Sequence, residues 1–337
     1  MANIVFMGTP VFAVSSLDRL VASEYRPIAV VTGPDREKGR GRKISETPVK
    51  RAAVAHGIST ILEPESVKDP DFAKQVESLE PDLIIVVAFR ILPPSVFTLA
   101  HLGAFNLHGS LLPKYRGAAP IHRAVMAGES ETGVTTFFLK EKVDTGNVIL
   151  QRSMSIDPNE TTGEVHDRMM TLGADAVLET VKRIFDGTAE STSQDESLAT
   201  PAPKIHHEDC RIRWESERTA VHNFIRGLSP HPGAWTHHQG MELKVFGSLL
   251  SEPGSTESGG EPSGVPESAV TQSGEASSAD MNQETRPGTV LRSDRDLCIA
   301  CGDGPLLITE IQLEGKRRLP AADFVRGSSI QPGDVLV

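Results

Sequence analysis

Three side chains in the first half of the chain could together move an acyl group onto an amine. Asn106 and His108 stand two apart in the run GAFNLHGSLLPKYRGAAP (Gly103–Pro120), and Asp144 opens an Asp-Thr-Gly turn downstream. Two residues two apart at the end of a strand project to the same face. In an open α/β sheet, ligands sit outside the carboxyl ends of the strands. A turn after one further strand can return a carboxylate to that edge. Acyl transfer to an amine asks for three things: removal of a proton from the amine, a donor to the developing oxyanion, and protonation of the leaving nitrogen. An amide, an imidazole and a carboxylate supply them. No nucleophilic Ser or Cys is needed, because the attacking amine belongs to the substrate. Singly, each residue has an ordinary structural reading, as a strand-end cap, a packed histidine or an Asx turn. The combination carries the weight.

Other chemistries find less support. The first strand runs into Gly8-Thr9-Pro10-Val11-Phe12, which is not GxGxxG, and no GxxxxGK[ST] occurs, so a dinucleotide or nucleoside-triphosphate site is poorly supported. Cys298 and Cys301 form a CxxC without a second CxxC or a His pair at metal spacing. The pairs His206-His207 and His237-His238 lie in or beside loops, and adjacent residues of a strand point to opposite faces. No metal is assigned. Three cysteines cannot form a disulfide framework, which suits a reducing compartment.

The elements that must position Asn106, His108 and Asp144 read as follows. Asn3–Met7, Ile28–Val31 and Leu83–Ala88 are continuous apolar, β-branched runs, as expected of parallel strands buried on both faces. Val11–Ala22, Pro48–His56 and Asp71–Leu79 read as amphipathic helices between them, which implies βαβ units and a doubly wound, parallel-type sheet. A strand near Gly103–Leu107, a helix over Ala118–Ala127, strands Thr132–Leu139 and Asn147–Ser155, and a long helix Thr162–Asp186 complete a first domain, residues 1–187. Thr161 or Thr162 with Glu164 marks the start of that helix and Gly187 its end.

The polar stretch 188–205 reads as an interdomain linker. After it, residues 206–337 show a helix near Ser216–Gly227 and short alternating runs separated by turns, the pattern of a small β-barrel. Residues 251–286 interrupt that pattern with Gly, Ser, Glu and Pro and read as a disordered insertion. The insertion holds seven acidic residues and one basic, more than half of the net charge of -11, so the overall acidity does not argue against a nucleic-acid partner. The opening MANIVFMGTP lacks the basic n-region of a signal peptide, and no run of eighteen apolar residues occurs; a cytoplasmic chain without a transmembrane helix is expected.

The string NLHGSLLPKYRGAAP followed by DTG resembles the signature of the 10-formyl-tetrahydrofolate-dependent formyltransferases. The likeness extends over nearly the whole chain and is greatest for the branch acting on methionyl-tRNA, through the GTP-x-F turn (Gly8–Phe12), the PDR-x-x-GRG-x-K loop (Pro34–Lys43) and Pro48-Val49-Lys50. The resemblance implies a Rossmann-like formyltransferase domain followed by an OB-like barrel, with 10-formyl-tetrahydrofolate as co-substrate and initiator methionyl-tRNA as partner, in a monomer. It places the catalytic set on Asn106 (donor to the oxyanion), His108 (proton shuttle or shared oxyanion stabilisation) and Asp144 (orienting the imidazole and favouring its protonated form). It further implies folate contacts from Ser110, Leu111, Leu112 and Pro113, and a pterin wall at Phe89–Leu92. There Phe89-Arg90 replaces the family's frequent Tyr-Gly.

The loop Arg36–Lys43, REKGRGRK, holds five basic residues and one acidic. Mobile cations on a glycine-bearing backbone suit phosphate binding, and the resemblance assigns Arg40, Arg42 and Lys43 to the tRNA acceptor stem. Arg211, Arg213 and Lys316-Arg317-Arg318 are further candidates. The nearest rival is a formyltransferase or formyl-tetrahydrofolate hydrolase acting on a small molecule; a non-catalytic folate or RNA binder has no need of a proton shuttle.

Overall fold

Alternate residues of the first strand enter two separate apolar layers. Ile4 and Phe6 join one with Leu17, Leu20, Met169 and Val177, while Val5 and Met7 join the other with Phe72, Val76 and Val96. A strand buried on both faces in this way needs helices on both sides, so the sequence builds a doubly wound layer structure. The computed structural model describes residues 2–38, 43–250 and 285–337. Two compact units result, Met1–Asp209 and Cys210–Val337.

In the first unit the strands are β1 (Ile4–Gly8), β2 (Ala29–Val31), β3 (Arg36–Lys38), β4 (Lys43–Ser45), β5 (Thr60–Leu62), β6 (Leu83–Val87), β7 (Ala104–His108), β8 (Arg116–Gly117), β9 (Glu131–Phe138), β10 (Val148–Ser155) and β11 (Pro201–Ala202). The helices are α1 (Val11–Val21), α2 (Pro48–Ala55), α3 (Pro70–Glu77), α4 (Pro94–Phe97), α5 (Pro120–Met126) and α6 (Thr162–Phe185). Seven strands form the main sheet in the order β10-β9-β7-β6-β1-β2-β5. Chain order reverses at β1, so the carboxyl ends of β1 and β6 flank a topological switch point, where ligands bind in such sheets.

The parallel reading holds for β5, β2, β1, β6 and β7. Strands β9 and β10, to which the sequence assigns no direction, run antiparallel to their neighbours. The connection from β9 to β10, residues 139–147, is shorter than the dozen or so residues a parallel crossover requires. That short return starts beside Ala104 and Phe105, at the amino end of β7, and reaches back to place Asp144 beside His108. Helix α6 starts as its sequence predicts: Thr161 accepts the Glu164 backbone N–H, and the Glu164 carboxylate accepts the Thr161 N–H in return.

The second unit contains α7 (Arg218–Gly227), β12 (Ala234–His238), β13 (Met241–Leu249), β14 (Val290–Ser293), β15 (Leu297–Cys301), β16 (Gly304–Leu313), β17 (Leu319–Pro320) and α8 (Ala321–Gly327). All its ladders are antiparallel, in the order β12-β13-β16-β15-β14 with β17 on β16. The segment 334–337 then bridges the two edge strands. Val337 exchanges two backbone hydrogen bonds with His237 (2.6 and 3.0 Å), and Val290 N–H donates to the Asp334 carbonyl at 2.8 Å. This closure agrees with the barrel predicted from the run spacing. The first 34 residues of the expected insertion, 251–284, lie outside the described residues.

Candidate active site

Asn106 and His108 lie at the carboxyl end of β7, on the face opposite Phe105 and Leu107, which are packed into the core. Asn106 pairs in register with Val86 on one side and Phe137 on the other, so central strands fix its position. Its side chain faces a recess lined by Phe89, Leu92, Phe97, Val143 and Asp144. His108 is buried, 6% exposed, and its Nε2 lies 2.8 Å from the Tyr115 carbonyl. A carbonyl only accepts, so Nε2 carries a proton and Nδ1 is the nitrogen free to gain or lose one. Nδ1 faces Asp144 Oδ2 at 3.8 Å, and the Asp144 side chain is itself only 11% exposed.

Asp144 is held at several points. Its Oδ2 accepts the Gly117 N–H at 2.9 Å, and its backbone takes the left-handed conformation, φ 55°. Such a conformation is costly for a residue with a Cβ and survives only where the surroundings fix it. Gly146 allows the turn to lie against β9: a Cβ there would stand 1.5 Å from the Phe138 carbonyl oxygen. Thus the three residues singled out for acyl transfer come together on one face of β7.

Ser110, Leu111, Leu112 and Pro113 form the loop that follows β7. The Ser110 hydroxyl is fully buried and donates to the Lys114 carbonyl at 2.6 Å. Thr135 Oγ1 donates to the Ser110 carbonyl and accepts the Leu112 N–H (2.6 and 3.0 Å), while Gln151 Nε2 donates to the Leu112 carbonyl. None of the four lines the recess at Asn106; Leu112 and Pro113 instead border a second hollow with Gln151 and Gln194. These bonds tie the loop to β9 and β10, and it leads directly to Tyr115 and Gly117, the partners of His108 and Asp144.

Phe89, Arg90, Ile91 and Leu92 do wall the recess. The Arg90 guanidinium is turned to the carbonyls of Pro64 and Glu65 (3.0 and 2.8 Å), which satisfies the cation that replaces the family's small residue.

The segment 188–205 is bonded to the first unit at several points. Thr192 bridges Val148, β11 pairs with β8, and Tyr115 N–H donates to Thr200 Oγ1 at 2.8 Å. Gln194 and Arg116, to which sequence reasoning gave no role, are central to this strap. Its polar composition hid it, because its partners are backbone groups distant in sequence.

For the basic loop, Arg40 and Arg42 lie outside the described residues, as does the side chain of Lys43 at the start of β4. The strands β3 and β4 that carry the loop pair as a hairpin. At its foot Lys50 bridges Asp35 (2.8 Å) and Glu63 (2.9 Å), and hydrogen bonds to Asp35 first and Glu63 second hold its ammonium well above the usual lysine range. In the second unit Arg318 pairs with Glu310 and lies 4.1 Å over the Phe246 ring, and Arg211 lies near the Trp235 ring. Cys298 and Cys301 are buried in β15, and burial pushes the Cys301 thiol up to about 12.

Two family models match: formyl transferase over residues 2–181 and formyl transferase, C-terminal domain, over residues 204–329. Among curated proteins, the chain is 44% identical to the methionyl-tRNA formyltransferase of Chlorobium phaeovibrioides over 98% of this chain and 97% of that one. It is 42% identical to that of Moorella thermoacetica over 99% of both. Solved structures similar in fold include the sugar 3N-formyl transferase WlaRD, with TM-score 0.63 at 17% identity over 94% of this chain and 99% of that one. HypX from Aquifex aeolicus in complex with tetrahydrofolic acid matches with TM-score 0.60 at 19% identity, over 99% of this chain and 50% of that one. With strand order, site and sequence in agreement, the chain belongs to the formyl transferase family.

Proposed function

We propose that this chain transfers the formyl group of 10-formyl-tetrahydrofolate to the amino group of methionine on initiator tRNA, acting as a monomer in the cytoplasm. The observation that carries the chemistry is the buried His108–Asp144 pair, whose Asp144 shares a recess with Asn106, Phe89 and Leu92. The acceptor is supported by near-full-length identity to methionyl-tRNA formyltransferases.

The Asn106 side chain takes no hydrogen-bond partner among the described residues, so its amide is available to donate to the formyl oxygen as charge develops on it. His108, held by the Tyr115 carbonyl, exchanges its proton at Nδ1. It accepts one as the amine adds and returns one to the departing folate nitrogen. Asp144 stabilises the charged imidazolium between those two steps. The recess sets Phe89, Leu92 and Phe97 beside Asn106 and Asp144, which suits an aromatic ring system with polar edges such as a pterin. Ser110–Pro113 serve this reading by shaping the loop against which the folate lies. Arg40, Arg42 and Lys43 bind acceptor-stem phosphates.

The test offers the purified chain 10-formyl-tetrahydrofolate and three acceptors: initiator methionyl-tRNA, elongator methionyl-tRNA and an amino-sugar nucleotide. Formylation of initiator methionyl-tRNA well above the other two supports the reading. Preference for the sugar, or release of formate alone, overturns it.

A further inference from the structure

Asp144 reaches His108 only because its turn is fastened from outside. The left-handed backbone at Asp144 and the two carbonyls of residues 144 and 146 are unfavourable unless something binds them. Gln194, fifty residues away in sequence, does so: its Nε2 donates to the Asp144 carbonyl at 2.9 Å and to the Gly146 carbonyl at 2.8 Å. Its Oε1 accepts from Arg116 Nε at 3.1 Å and from Nη2 at 2.7 Å. Both donor and both acceptor positions of the amide are used, so only one orientation satisfies all four partners. The Arg116 side chain is 12% exposed and is also paired with Glu196. The residue after Arg116 is Gly117, whose N–H holds the Asp144 carboxylate. Arg116-Gly117 therefore governs both ends of Asp144, the carboxylate directly and the backbone through Gln194. The β8–β11 pairing locks this dipeptide in turn: a Cβ on Gly117 would lie 2.5 Å from the Ala202 carbonyl oxygen.

We propose that Gln194 is a positioning residue for the transfer reaction, holding the Asp144 carboxylate at the distance from His108 that turnover needs. The inference rests on the reading of Asn106, His108 and Asp144 given above. Gln194 does not line the recess at Asn106 and makes no hydrogen bond to His108, so it acts on the reaction through the groups it ties, the Asp144–Gly146 turn and Arg116. Gln194→Glu keeps the length and the bond to Arg116 but turns an acceptor oxygen toward two carbonyls. Gln194→Ala removes both hydrogen bonds to the turn. A displacement of about 1 Å at a catalytic group costs about a hundredfold in rate.

The decisive experiment is a double-mutant cycle on kcat, measured per folded molecule at saturating 10-formyl-tetrahydrofolate and methionyl-tRNA. Gln194→Glu and Gln194→Ala are expected to lower kcat ten- to a hundredfold, with KM for both substrates within about threefold of the parent; these ranges follow from that positional sensitivity. In an Asp144→Ala background, Gln194→Ala should lower kcat no further, because the group it positions is gone. Ser197→Ala, in the same strap, removes a hydroxyl that donates to Asp195 and should leave kcat unchanged. If Asp144→Ala lowers kcat and the Gln194 changes do not, or if the two losses multiply, Gln194 is only a structural tie and the inference is overturned. If Asp144→Ala itself has no effect, the catalytic reading falls and takes this inference with it.

Discussion

Replacing Asp144 with asparagine removes one charge and leaves the outline of the side chain intact. The wild-type carboxylate lies 3.8 Å from His108 Nδ1, with both side chains nearly buried. At an effective permittivity of about 20, unit charges at that separation attract by about 4 kcal/mol. At 1.36 kcal/mol per decade of rate, that interaction is worth about a thousandfold if it is present only when the imidazole is protonated during transfer. Residual solvent screening lowers the figure, so a fall in kcat of about a hundred- to a thousandfold is expected. Asparagine still offers an oxygen to the Gly117 N–H, which the aspartate accepts at 2.9 Å. The melting temperature should therefore move by only a few degrees, about what removing one net hydrogen bond produces. Single-turnover formyl transfer in a quenched-flow instrument isolates the chemical step from product release. A transfer rate within about threefold of the parent would refute the reasoning, since it would mean that the Asp144 charge does not act on the shuttle.

Three further outcomes are expected. Gly146→Ala would place a Cβ 1.5 Å from the Phe138 oxygen, so the turn must shift by about 2 Å to regain ordinary separation. Turnover should fall by at least about a hundredfold, and the melting temperature should drop as well. Replacing Arg40, Arg42 and Lys43 should raise KM for methionyl-tRNA and reduce the log–log salt slope by about one for each phosphate no longer neutralised, with folate binding unchanged; unchanged tRNA kinetics at low and physiological salt would return the loop to an ordinary solvated surface. Thr161→Ala should cost about 1 kcal/mol through removal of the α6 cap, read from denaturant melts. The Thr161 backbone N–H and then its hydroxyl hold the Glu164 carboxyl below the usual carboxylate range. A depressed folded-state value stabilises above the unfolded value and is lost as pH falls through the folded one. The gap between Thr161→Ala and parent should thus shrink in acid.

Where local pattern determines structure, the chain is legible from its sequence. Ile4–Gly8 and Leu83–Val87 are apolar at every position and became central strands, and Thr161 with Glu164 announced the start of α6. Asn106 and His108 could be read because a two-residue spacing at a strand end puts both on one face. The antiparallel course of β9 and β10 was not legible, because apolar runs do not encode direction. The contacts made by segment 188–205 were not legible for a related reason. Its Thr200 and Gln194 bond to groups 85 and 50 residues away, and no local periodicity marks a polar residue that satisfies a distant carbonyl. The folate contacts expected of Ser110–Pro113 rest on the family resemblance and not on local pattern; in the fold the Ser110 hydroxyl donates to the Lys114 carbonyl.

The central claim is that His108 is the proton shuttle of a formyl transfer. Its most direct test is the single-turnover rate of His108→Ala with bound 10-formyl-tetrahydrofolate and initiator methionyl-tRNA, alongside the affinities for both. The account predicts a rate at least about a hundredfold below the parent, the usual scale of general acid–base catalysis, with both affinities preserved within a few-fold. A folded variant that binds both substrates and transfers formyl at near the parent rate would contradict it.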